Sequence, residues 1–453
     1  MDTALPGSAD SAPPTSLSLS EALRFWLKLG FISFGGPAGQ IALMHEELVD
    51  RRRWISEKRF LHALNYCMLL PGPEAQQLAT YLGWLLHRTW GGVLAGALFV
   101  LPSLFIIIGL AWLYMAHGDV PVVAGFFYGI KPAVTALVAQ AAYRVGSRSL
   151  KNSWHWSIAV AAFLAIFALN VPFPLIVVAA AAVGFVGGKL RPTAFGGGAG
   201  HEKEVQHQGT RPALIDDNTP TPPHAKFSWR RFWLVLAVSV ALWIVAIASL
   251  AFLYGPQSTL VQMSWFFTKA ALMTFGGAYA VLPYVYQGAV DHFQWLTAVQ
   301  MMDGLALGET TPGPLIMVVS FVAFVGGWTK AIFGTDSLLL AGTVAATVVT
   351  FFTFLPSFLF ILLGGPFIES THGNLKFTAP LAGITAAVVG VIVNLAVFFA
   401  YHVIWPRGLT SGMDWTSVAI GIASAIALLC FKINVIHVIL AAGLIGLLLR
   451  LWP

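Results

Sequence analysis

The sequence predicts an all-α polytopic membrane protein, built as a tandem inverted repeat whose helices are broken or re-entrant at Pro-Gly-Pro and Phe-Gly-Gly motifs. Three observations carry that expectation. Of 453 residues, 57% are hydrophobic and only 10% charged, a balance that excludes a soluble globule. Charge-free runs near the roughly 20 residues needed to cross hydrocarbon recur along the chain, as at 91–116, 232–254 and 377–401. The same rare tripeptides stand in both halves: Phe34-Gly35-Gly36 with Phe275-Gly276-Gly277, and Pro71-Gly72-Pro73 with Pro312-Gly313-Pro314.

Residues 1–20 are rich in Pro, Ser and Ala and lack the basic start and apolar core of a signal peptide, so they read as a disordered polar tail. A first repeat is expected over 21–189. Its first apolar element, Phe25 to Met44, is interrupted at Phe34-Gly35-Gly36-Pro37, and a basic loop, Arg51-Arg52-Arg53-Trp54 with Lys58 and Arg59, follows. The next segment, 60–86, contains Pro71-Gly72-Pro73. Proline removes a backbone donor and glycine adds freedom, so the helix breaks there and restarts. Such a restart at membrane depth survives only where it is buried in protein or lines a wet cavity, and its free N–H groups then form an anion site. Spans at 91–116, 120–143, 154–170 and 174–188 complete the half, with Arg144, Arg148 and Lys151 clustered between two of them.

Residues 190–229 shift to Gly, His, Pro and Thr, the pattern of a flexible cytoplasmic linker. His201, His207 and His224 within it match no metal-ligand spacing. A connecting transmembrane helix is expected at 230–255 and a second, inverted repeat over 262–453. The net charge of +6 sits in a few loops and speaks of membrane orientation, not of nucleic acid. Cys67 and Cys430 have no CxxC partner and imply neither a disulfide nor a metal site.

The two halves keep register over long intervals. An offset of 241 carries Phe25 onto Phe266, Lys28 onto Lys269 and Trp54 onto Trp295. After a 13-residue insertion the offset becomes 254, carrying Leu101-Pro102-Ser103 onto Leu355-Pro356-Ser357. Agreement at so many rare residues marks a tandem duplication. Residues 51–59 hold five Lys or Arg whereas 288–300 hold none, as expected if the copies face opposite sides of the bilayer. Keeping every basic loop cytoplasmic requires 25–44 and 60–86 to return as re-entrant hairpins. Full crossings would instead give about 13 spans and leave the first basic loop outside.

Inverted repeats with broken helices are the architecture of secondary transporters, which bind substrate near the midplane at the repeat interface. The expected substrate-binding residues are therefore Lys28, Phe34, Gly35, Gly36, Gln40, Pro71, Gly72, Pro73, Gln76 and Gln77, with Lys269, Gly276, Gly277, Thr310, Thr311 and Gly313 in the second half. The two lysines either supply charge to an anion or snorkel to the interface. The glutamines either donate to oxyanion oxygens or bridge helices. Glu74 and Glu309 flank the breaks but are not equivalent, since the offset carries Glu74 onto Leu315. Both are proton-coupling candidates, or helix-terminal carboxylates satisfied by backbone N–H groups. No metal or cofactor is expected. The chain has no HExxH and no paired intramembrane aspartates, so an enzyme is not expected, and without GxxxxGK[ST] the energy comes from membrane gradients.

The strings Phe34-Gly35-Gly36-Pro37-Ala38-Gly39-Gln40-Ile41, Arg53-Trp54-Ile55 and above all Leu70-Pro71-Gly72-Pro73-Glu74-Ala75-Gln76-Gln77-Leu78-Ala79 resemble the signature of the chromate ion transporter family. The duplicated motifs are similar to its two-domain, long-chain members, although the second half lacks the Glu-Ala-Gln-Gln string. The resemblance implies export of chromate across a bacterial inner membrane, chromate resistance, and sulfate as a competitor. The drive would be the membrane potential or a proton gradient. Proton-coupled import of sulfate or another oxyanion is the alternative. The lipid bilayer and a chromate- or sulfate-like anion are the expected partners, with monomer and homodimer both open.

Overall fold

A computed structural model describes residues 17–34, 36–118, 120–195, 213–217, 219–220, 222–275, 277–371, 378–406, 408, 410 and 412–451. Among these every regular element is a helix, and the one β contact is an isolated bridge between Ile55 and Ile215. Residues 1–16 of the expected tail, and His201 and His207, lie outside the described residues.

The first helix, α1 (Leu19–Ile32), starts inside the stretch expected to be tail, because the Ser18 side chain caps it by accepting from the Glu21 N–H at 3.2 Å. After a break come α2 (Gly36–His45), a π-helical turn (Glu46–Arg51) and α3 (Glu57–Leu69). The next helix, α4 (Glu74–His117), folds back on itself at His87 and Arg88, whose backbone leaves the helical region. Its two arms pack so closely that a Cβ on Gly83 would meet Ala95, and one on Gly92 would meet Trp84. There follow α5 (Pro121–Ser149), α6 (Ser153–Phe167), α7 (Phe173–Leu190) and the short α8 (Pro192–Phe195).

Beyond the linker, α9 (Trp229–Tyr254) has no buried residue, as an apolar helix turned toward lipid would have. The second half comprises α10 (Thr259–Leu272), α11 (Ala278–Tyr286), α12 (Ala298–Thr310), α13 (Val318–Thr329), α14 (Leu338–Thr371), α15 (Thr378–Ile404), α16 (Trp415–Leu429) and α17 (Val435–Leu451). Among the described residues six helical segments are long and apolar enough to cross a membrane: Glu74–His117, Pro121–Ser149, Phe173–Leu190, Trp229–Tyr254, Thr335–Glu369 and Ala379–Ile404. The chain is a multi-pass membrane protein.

Local structure recurs at the 241-residue offset. The π turn at Glu46–Arg51 has its counterpart at Gln287–His292, and α3 has its counterpart in α12. Positive φ occurs at both Arg53 and Gln294, and Ser56 and Thr297 both cap the helix that follows. Phe25 meets Trp54 edge-on at 5.2 Å, and Phe266 meets Trp295 edge-on at 5.6 Å. These are the same residue types folded by the same local forces.

The start of α1 lies beside the loop that ends the π turn, since Arg52 is 3.6 Å from Glu21. His87, at the fold of α4, is 3.0 Å from the Leu17 carbonyl. In the second half Tyr254 stacks near Phe333, in the turn between α13 and α14, at 5.4 Å. The distal linker is not free chain. Leu214 and Ile215 donate to the carbonyls of Arg53 and Trp54, and Ala213, Ile215 and Ala225 are buried. His224 sits 3.0 Å from the Trp84 carbonyl. Burial pushes its ring below the ordinary histidine range.

Candidate functional site

Both Pro-Gly-Pro motifs end one helix and start another. The first separates α3 from α4, and the second separates α12 from a turn of 3₁₀ helix, Leu315–Met317, that runs into α13. Their glycines adopt φ of 127° at Gly72 and 103° at Gly313, a region closed to residues with a Cβ. Space is missing as well: a Cβ on Gly72 would meet Ser357 and Gln77, and one on Gly313 would meet Ser103.

The two breaks are cross-connected. The Gly72 N–H donates to the Thr274 carbonyl at 2.8 Å, and the Gly313 N–H donates to the Ser33 carbonyl at 2.8 Å. Thr274 precedes the second Phe-Gly-Gly and Ser33 the first. Each half therefore supplies the acceptor for the other half's glycine. The serines follow the same rule, with Ser357 beside the first glycine and Ser103 beside the second. Four chain breaks thus meet, and the backbone groups they strand find partners across the repeat boundary.

Polar side chains line the meeting point and are incompletely satisfied. Ser33, Gln40, Gln76, Gln77 and Ser103 are fully buried. The hydroxyls of Ser33 and Ser103 and the amide oxygens of Gln40, Gln76 and Gln77 have no partner. Each such group costs about 1–3 kcal/mol when left unpaired. Five in one place call for a polar occupant. The first-turn N–H groups of α4 add donors that no helix interior uses, at the positive end of the helix dipole.

The amide nitrogens of the glutamines are engaged within the protein. Gln40 Nε2 donates to the Gly313 carbonyl at 2.5 Å, Gln77 Nε2 to the Pro71 carbonyl at 2.8 Å, and Gln76 Nε2 to Thr80 at 3.0 Å. In this arrangement they shape the breaks, and the unpartnered donors are the serine hydroxyls. Pro73 is buried and Pro71 and Glu74 are half-buried beside the first break. Thr310 and Thr311 turn their hydroxyls onto α12 carbonyls at 3.0 and 3.2 Å. Glu309 is 8% exposed and accepts from the Tyr279 hydroxyl, whereas no such partner stands beside Glu74 among the described contacts.

Gly36 opens α2 at φ 71° and Gly277 precedes α11 at φ 97°. Gly35 and Gly276 lie outside the described residues. Phe34, Lys28 and Lys269 are exposed, and the lysines stand apart from the buried cluster on the opposite face of their helices from Trp26 and Phe267. Sequence reasoning missed Ser33, Thr274, Ser103 and Ser357 as members of the site. The signal was present, because all four occupy equivalent positions under the two offsets.

Comparison with known proteins agrees with this arrangement over most of the chain. The family model described as chromate transporter matches residues 20–185 and 261–447, one match in each half. A chromate transport protein of Pseudomonas aeruginosa is 35% identical over 442 residues, covering 96% of this chain and 93% of that one. The chromate transport protein of Cupriavidus metallidurans is 29% identical, covering 98% and 96%, and the probable chromate transport protein of Synechococcus elongatus is 30% identical, covering 84% of each. No solved structure matches the chain. With a family model spanning both halves and a relative above 30% identity over nearly its whole length, the chain belongs to the chromate transporter family.

Proposed function

We propose that this protein is a secondary transporter that exports chromate, a tetrahedral dianion, across the bacterial inner membrane and thereby confers chromate resistance. One observation carries the reading: the reciprocal hydrogen bonds from Gly72 and Gly313, which join four chain breaks around unsatisfied buried hydroxyls. Broken helices from two oppositely oriented repeats, meeting at a polar point, are how membrane carriers hold an ion at the midplane. In this reading the segments 19–51 and 57–86 are re-entrant hairpins on the linker side, and their counterparts in the second half enter from the other side. The contacts between Glu21 and Arg52 and between Leu17 and His87 support it, because both ends of each segment then reach the same surface. Helix α9, about 39 Å long at 1.5 Å per residue, supplies the crossing that inverts the second half.

A dianion is recognised by Ser33 and Ser103 and by the N-terminus of α4, with the glycines allowing backbone to approach it. Lys28 and Lys269, exposed less than two turns from Ser33 and Thr274, draw the anion toward the breaks. Charge favours the outward direction. Moving one charge through 100 mV is worth about 2.3 kcal/mol, so a dianion leaving a negative interior gains about 4.6. That sustains a gradient of roughly three orders of magnitude.

The test is labelled chromate flux into proteoliposomes with an imposed potential, with and without excess sulfate. Flux that reverses with the sign of the potential and falls with sulfate is expected. Flux that ignores the potential and follows only an imposed proton gradient would replace export by proton-coupled import, and no flux under either gradient would sink the transport reading.

A further inference from the structure

A second polar cluster lies away from the breaks, where α12 of the second half meets α4 and α5 of the first. Asp303 on α12 is 2% exposed. One of its oxygens, Oδ2, accepts from the Tyr114 hydroxyl at 2.9 Å and lies 3.8 Å from Lys131 Nζ. The other, Oδ1, is buried and has no partner. The ammonium is thus close enough to feel the carboxylate but beyond hydrogen-bond distance from it. Such an arrangement is poor as a structural ion pair, because burial penalises the Asp303 carboxylate and repays it only when every lone pair is used.

We infer that Asp303, held by Lys131 and Tyr114, is a proton-binding site whose occupancy is tied to passage of the anion. The inference rests on the transport reading above and adds the coupling ion to it. A proton from water bonds to Oδ1 and converts the carboxylate to the neutral acid, while Lys131 remains an ammonium. Its charge is then no longer neutralised and attracts a dianion arriving at the break. Asp303 is seven residues from Thr310 along α12, roughly 10 Å. Loss of the proton restores the ion pair and weakens the hold on the anion. Proton and dianion therefore travel together, and each cycle moves one net negative charge, half of what the dianion alone would carry down the potential.

The ionisable groups acting on Asp303 are Lys131 from α5 and Tyr114 from α4. The neighbouring α13 contains no ionisable residue, and those of α17, His437 and Arg450, stand near its two ends. The cluster has no repeat-related copy. The offsets carry Asp303 onto His62, Tyr114 onto Ile368 and Lys131 onto Thr385.

Proteoliposomes with the potential clamped at zero, in alkaline buffer where the substrate is fully the dianion, provide the test. Wild-type protein should show labelled chromate flux driven by a pH gradient, together with exchange of chromate for chromate. Asp303→Asn should lose at least about tenfold of the gradient-driven flux while keeping exchange, and Asp303→Glu should retain the gradient response. Where Asp303→Asn alone is inactive, Tyr114→Phe, which removes only the hydroxyl that donates to Oδ2, must exchange with the pH dependence of its gradient-driven flux displaced from that of wild type, and an undisplaced profile overturns the inference. An equal gradient response in wild type and Asp303→Asn overturns the inference, as does wild-type exchange with no gradient response. Absence of exchange in the wild type would instead overturn the transport reading, and the site with it.

Discussion

The two seams where α3 and α12 meet the long helices of the opposite half occupy equivalent positions and are built from opposite chemistry. On the linker side Arg59 Nη1 lies 3.1 Å from Glu369 Oε2, and the Tyr81 hydroxyl donates to the other carboxylate oxygen at 2.5 Å. Arg59 also donates to the carbonyls of Asp216 and Thr219, which fastens the linker to the same seam. The offsets carry Arg59 onto Gln300 and Glu369 onto Met115. There the contact is Gln300 Nε2 to Met115 Sδ at 4.0 Å, at the limit of any hydrogen bond. The side chains of Arg59 and Glu369 are 14% and 8% exposed, so removing either partner strands a buried charge at a cost of about 3–5 kcal/mol. Duplication preserved the backbone of the two seams, while the charge on them diverged. In the proposed transport cycle the linker-side seam is the one that resists opening.

The largest effect should come from the point both seams converge on. Gly72→Val and Gly313→Val each force a side chain into a left-handed backbone and against a serine. Each should cut chromate flux to less than about a tenth while membrane insertion is kept. Near-normal flux in one of the two would mean that the halves are not joined as equals. The next effect separates the seams. Cys67 is buried behind the linker-side seam, and Cys430 is exposed. In a Cys430→Ser background, Glu369→Gln should raise the labelling rate of Cys67 by an impermeant thiol reagent several-fold, and Gln300→Ala should leave it unchanged. Equal labelling in both would erase the contrast.

A smaller effect comes from making the seams alike. Gln300→Arg with Met115→Glu installs an ion pair opposite the linker, and flux should slow a few-fold as both ends become hard to open. Faster flux would show that the weak seam is not the mobile one. The smallest effect concerns the linker. Burial lowers the His224 ring below the ordinary 6.5. A ring whose folded pKa is depressed stabilises docking above the unfolded value and loses that contribution as pH falls. Hydrogen-exchange protection of 213–217 should decline between about pH 7.5 and pH 5, and protection that holds across that range would remove His224 from the docking account.

Much of this architecture is legible in the sequence. Charge-free runs announce the spans, and Pro-Gly-Pro announces the breaks, because a missing N–H and a missing Cβ act locally whatever surrounds them. The register of the repeat pairs Ser33 with Thr274 and Ser103 with Ser357 but does not say which break each faces, and nothing marks Asp303 as the partner of Lys131. A serine near a proline and a lone aspartate in an apolar helix carry no local mark of what they will face. The distal linker misleads for the same reason. Its composition is that of free chain, yet Ile215 and Ala225 are buried against loops distant in sequence.

Sequence by itself determined that the chain is a duplicated bundle of membrane helices, and where each helix must stop, since hydrophobic length and backbone chemistry are properties of short segments. Only the tertiary structure decided which stops meet. The pairing of Gly72 with Thr274 and of Gly313 with Ser33 depends on stranded backbone groups finding acceptors in a medium without water. Those acceptors lie in the other half of the molecule, roughly 200 or more residues away along the chain.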